Sequence, residues 1–146
     1  MTALRVAALL LTFTGFAYAA PKPKTGPHGG VVVQLGTYTG EFSVWNTKVD
    51  LFVYDSKGKL LHTKGIQGTL EISNILLAKD RDRVNPQDLM GELTPAGDRM
   101  ERKITLPGLV RADFKVNLLI NGVRREGTVT WVHTDDRSRL GDWWIL

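Results

Sequence analysis

The chain has 146 residues, 42% of them hydrophobic, with 19 Lys and Arg against 15 Asp and Glu and no cysteine. That length suits one domain with a single core. The mild, dispersed charge excess excludes a dedicated nucleic-acid binder, and the lack of thiols excludes disulfides, thiolate metal sites and a cysteine nucleophile.

Met1 to Ala19 reads as an export signal. Arg5 gives the positive start, Val6 to Ala17 is a short apolar run, and Ala17-Tyr18-Ala19 has the small-x-small form that signal peptidase cuts. Thr12, Thr14 and Gly15 interrupt the run, which is too short to span a bilayer. Cleavage after Ala19 leaves 127 of the 146 residues and, with Arg5 gone, a net charge of +3 in place of +4. The expectation is a periplasmic or otherwise exported protein with no stable membrane insertion after cleavage.

Residues 20–30, APKPKTGPHGG, read as a flexible, extended lead-in, too rich in Pro and Gly to enter a sheet interior. Lys22 and Lys24 are too few to hold it on anionic lipid. From Val31 onward short apolar runs alternate with turn residues, the pattern of an all-β domain. Val31 to Leu35 and Glu41 to Trp45 are the first predicted strands. If Gly36 and Thr37 close that hairpin, Val32 pairs near Glu41. Val49, Leu51 and Val53 then alternate with Asp50, Phe52 and Tyr54, and Asp55 to Gly58 turns the chain. Lys59 to Thr63 is expected to return, and Thr69 to Ser73 alternates again.

Lys79 to Gln87 is the longest polar stretch, a solvated loop. Leu89 to Leu93 reads as a short edge strand, Pro95 to Asp98 as a turn, and Met100 to Leu106 as a strand. Val110, Ala112, Phe114, Val116, Leu118 and Ile120 occupy alternate positions of a half-buried strand. Asn121-Gly122 is a type I′ hairpin signal. A two-residue turn pairs Ile120 with Val123, Phe114 with Val129, Ala112 with Trp131 and Val110 with His133. About seven or eight antiparallel strands without crossover helices favour an immunoglobulin-like β-sandwich over residues 31–133. The tail, residues 134–146, ends in Trp143, Trp144, Ile145 and Leu146. It either packs back over an open end of the sandwich or presents Trp143 and Trp144 to a partner.

Hydrolase and phosphate-loop motifs are missing, and so are carboxylates spaced to converge in a pocket, so the expectation is a protein that is not an enzyme. His62 and His133 read as structural histidines, and Met90 and Met100 as core filler before copper ligands. His28 differs, because it sits in a glycine-rich loop that no core claims. An imidazole there can reach a metal ion, and Glu41 across the hairpin can offer a carboxylate.

Several motifs together resemble a known family. Pro27-His28-Gly29-Gly30 opens the mature chain, and Glu41-Phe42-Ser43-Val44 follows in a strand. Leu51-Phe52-Val53-Tyr54-Asp55-Ser56-Lys57-Gly58-Lys59 and Leu93-Thr94-Pro95-Ala96-Gly97-Asp98 come later. These are similar to small exported β-domains that occur alone or at the front of periplasmic adaptor (membrane-fusion) subunits of heavy-metal efflux pumps of the resistance-nodulation-division type. The chain departs from that pattern at Thr39-Gly40, where many relatives have a histidine, and at Leu60-Leu61, where proline is frequent.

The resemblance implies a periplasmic role in metal homeostasis, with His28 as the matched residue. The expected function is binding or buffering of copper or zinc, with His28 and Glu41 as ligands and an envelope or efflux-system protein as partner. The alternative is a metal-free interaction module that docks through Trp143 and Trp144 or a strand edge.

Overall fold

The computed structural model describes residues 25–133; the expected signal, most of the lead-in and the Trp143-Trp144 tail lie outside them. Eight strands form one antiparallel sheet: β1 (Val31–Leu35), β2 (Tyr38–Val44), β3 (Lys48–Tyr54), β4 (Gln67–Leu77), β5 (Met90–Ala96), β6 (Arg99–Lys103), β7 (Leu109–Ile120) and β8 (Val123–Val132). The spatial order is β1-β2-β3-β6-β5-β4-β7-β8. The all-β antiparallel fold is as expected. Its two packed faces are joined through β5 into a sheet that nearly closes as a barrel.

β5 makes that join by serving both faces. Its first half pairs with β4, from Met90 opposite Glu71 to Leu93 opposite Gly68. Its second half pairs with β6, from Thr94 opposite Glu101 to Ala96 opposite Arg99. The expected edge strand is therefore central. Pro95 lies inside β5, and the turn narrows to Gly97 and Asp98. Lys59 to Thr63 forms no strand. Leu60 makes one bridge to Tyr54, and the Leu61 and Thr63 amides donate to the carbonyls of Val53 and Gly97.

Alternation along the strands turns most of their apolar residues inward. Val33, Leu35, Phe42, Val49, Leu51, Val53, Leu70, Ile72, Phe114, Val116 and Leu118 are all buried. Phe42 and Phe114 meet across the two faces with ring centroids 5.2 Å apart. Met100 is fully buried here, whereas Met90 stands exposed on β5. Arg102 shares the inward face of β6 with Met100. Its guanidinium donates to the carbonyls of Leu70 and Asp88, which satisfies a charge that burial would otherwise penalise. Burial also lowers its pKa.

The hairpin expectations hold. Leu35 pairs with Tyr38 around Gly36-Thr37, and Val32 pairs with Glu41. Ile120 pairs with Val123, Phe114 with Val129 and Ala112 with Trp131. The His133 amide donates to the Val110 carbonyl at 2.7 Å. Asn121 takes the left-handed φ of 51° that a type I′ turn needs.

The ladder ends at β1 and β8, and these two strands lie side by side. A Cβ built on Gly127 would sit 2.5 Å from the Gln34 carbonyl oxygen and 2.8 Å from a Val33 methyl. Arg125 covers the Tyr38 ring at 5.5 Å from its centroid. Gly127→Ala is expected to lower stability by about 1–3 kcal/mol through overpacking against β1 backbone. A denaturant midpoint equal to that of the unsubstituted protein would refute this close contact.

Candidate functional site

The outer face of β2 and β3 is the unusual part of the sheet. Alternation assigns Glu41, Asp50, Phe52 and Tyr54 to solvent, yet Glu41 is 0% exposed, Asp50 4% and Phe52 7%. Asp50 is covered by its own neighbours. Trp45 Nε1 donates to it at 3.2 Å, and Lys48 Nζ and Arg99 Nε lie at 3.2 and 3.5 Å.

Glu41 and Phe52 are covered by the chain that precedes β1. Thr25 bridges to Val31, and the Gly26 amide donates to the Gly30 carbonyl. The intervening turn lies on the sheet. Any side chain at Gly26 would collide with the Glu41 carboxylate, and one at Gly30 would collide with the Phe42 carbonyl. Glycine at these two positions lets the backbone descend far enough to donate. The stretch expected as a flexible lead-in is thus, from Thr25 onward, a fitted turn.

Glu41 gathers donors from this turn and from β3. The His28 amide donates to both carboxylate oxygens, at 3.0 and 3.2 Å, and the Gly30 amide to Oε2 at 3.0 Å. His28 Nδ1 lies 2.8 Å from Oε1, and the Tyr54 hydroxyl donates to the same oxygen at 3.1 Å. Such charge-assisted bonds are the stronger kind, and they compensate a buried carboxylate.

The network fixes the imidazole tautomer. An ionised carboxylate only accepts, so the proton between Nδ1 and Oε1 resides on Nδ1. The Tyr54 hydroxyl, 3.0 Å from Nδ1, then directs its single proton to Oε1. The imidazole also stacks on Phe52, with centroids 3.7 Å apart and planes 7° from parallel. Its position and rotation are both set. Nε2 is the ring nitrogen that this network leaves over, on a side chain that is 41% accessible. Carboxylate-to-imidazole pairing of this kind orients metal-binding histidines and raises their basicity.

Of the residues expected from sequence, His28 and Glu41 meet. Met90 and Met100 do not join them. The His62 ring accepts from the Lys64 amide, and His133 packs beside Trp131 at 6.1 Å. Trp143 and Trp144 lie outside the described residues. Among the described residues, no group of three or more His, Cys, Asp and Glu converges on one point. Sequence reasoning missed Phe52 and Tyr54. Their signal was two aromatic residues on the wet phase of a strand beside Glu41.

Glu41→Ala should cost about 3–5 kcal/mol, because it orphans the donors of a buried ionic cluster. Urea unfolding measures the loss, and a cost under about 0.5 kcal/mol, the range of ordinary surface substitutions, would remove the carboxylate from this role. Tyr54 carries a second signature. Burial foremost, then the negative charge and hydrogen bond of Glu41, push its phenol from 10.0 up to about 12. The folded state therefore holds the proton more tightly than the unfolded state. The associated stability is complete below pH 10 and is lost as pH rises through about 12. Tyrosinate absorbance of the mature protein should rise in two steps, with Tyr54→Phe abolishing the later one; a single step near 10.0 refutes the coupling.

Comparison with protein-family models, curated proteins and solved structures finds no match to this chain.

Proposed function

We propose that this protein is an exported, non-enzymatic β-domain that binds a transition-metal ion, copper or zinc, through Nε2 of His28. The observation that carries the reading is the pairing of Nδ1 with a fully buried carboxylate on an imidazole whose side chain is 41% accessible. In this reading Glu41 is a positioning residue that acts through the imidazole, because N–H and O–H donors already occupy both its oxygens. Phe52 holds the ring plane and Tyr54 completes the carboxylate's shell.

The export signal and the Pro27-His28-Gly29-Gly30 start support a setting beside heavy-metal efflux, with an efflux-system protein of the envelope receiving the ion. Imidazole suits both copper and zinc, so the chemistry of the donor accommodates either.

Titration calorimetry of the mature, tag-free protein with Cu²⁺ and Zn²⁺, beside His28→Ala, tests this. Binding should disappear in His28→Ala, whose circular dichroism should be unchanged. Glu41→Gln should weaken binding about 10- to 100-fold, as loss of an orienting partner does at other metal sites. No binding, or binding indifferent to His28, refutes the reading.

A further inference from the structure

We infer that the ion at His28 is shared between two copies of this chain, each supplying one Nε2. The inference rests on the metal reading above and names the partner that completes the site. One imidazole leaves most of the coordination sphere of a copper or zinc ion open; zinc takes three or four protein ligands in its protein sites. Glu41 is consumed by its own hydrogen bonds. No third group of the described residues converges there. The described residues of one chain thus leave the sphere open, and a second molecule can supply a further donor.

A second copy satisfies this with geometry the loop already has. A two-fold axis through the ion would relate two Nε2 atoms, and a self-complementary contact of this kind closes at two subunits. The loop suits close approach. Of the six residues Thr25 to Gly30, three are glycine and none but the imidazole is ionisable. Thr25, Pro27 and His28 are exposed. The six residues themselves carry no Lys, Arg, Asp or Glu, although Lys22 and Lys24 precede them and each mature chain is net positive. Each imidazole arrives with its ring already held by Phe52 and Nδ1 already held by Glu41, so little rotational freedom is lost on binding. Two imidazoles suffice for two-coordinate Cu⁺, whereas for Zn²⁺ they fall short of its usual three or four protein ligands.

Sedimentation velocity and calorimetry on the mature full chain test this with Cu⁺ under anaerobic conditions, Cu²⁺ and Zn²⁺. At least one ion should bind at one per two chains and double the sedimenting mass, with saturation at half an equivalent. His28→Ala should remain monomeric at every metal concentration. His62→Ala should dimerise as the unsubstituted protein does. If every ion that binds does so one per chain on a monomer and depends on His28, the shared site is wrong and the metal reading stands. If no ion binds, or dimerisation persists in His28→Ala, the shared site is overturned, and absence of binding removes the metal reading with it.

Discussion

One carboxylate organises the outer face of this domain. Glu41 lies on the solvent side of β2 by alternation and is nevertheless fully buried. A bare carboxylate in that position would be strongly unfavourable. It is tolerated because the backbone amides of His28 and Gly30, the His28 ring and the Tyr54 hydroxyl all donate to it. The dependence is mutual. The turn before β1 has little hydrophobic surface of its own, with three glycines in six residues. Beside the stacking of His28 on Phe52, its attachment to the sheet is polar, and the carboxylate is the acceptor that the His28 and Gly30 amides share.

That arrangement separates the two jobs of the loop. Its main chain binds the sheet, and its one ionisable side chain stays 41% accessible. A histidine in a mobile loop would sample many rotamers and present either nitrogen. Here the stacking on Phe52 removes rotation, and the hydrogen bond to Glu41 removes the choice of tautomer. The neighbouring cluster of Trp45, Lys48, Asp50, Arg99 and Glu101 stiffens the strands underneath, because it ties β3 to β6 on the same face. The site thus rests on paired strands rather than on loop structure alone.

Much of the fold was legible because local signals agreed with one another. Asn121-Gly122 and eleven residues of alternation, Val110 to Ile120, specified both the turn and the register of β7 and β8. Gly36-Thr37 did the same for β1 and β2. Leu89 to Leu93 was misplaced at an edge because neighbour identity in a sheet is set by long-range pairing, which a five-residue window does not contain. The continuity of the two faces was hidden for a related reason: the bend of β5 between Leu93 and Thr94 is expressed only in which strands lie beside it. At the site, His28 and Glu41 were legible as a pair from hairpin register. The burial of Glu41 was not, since alternation describes a strand and its sheet and is silent about chain that folds over it from outside. Phe52 carried the missing information as an aromatic residue where a polar one was due.

The contact of β1 with β8 has a consequence for how the molecule behaves in company. An open sheet offers two rows of unpaired amides and carbonyls, and each is a template on which another chain can add a strand. Here the two rows face each other across a gap narrow enough that Gly127 has room for no side chain. Each edge therefore occludes the other. For a chain that must hold together without disulfides, the same packing that completes the core also withholds the surfaces from which β-aggregates grow.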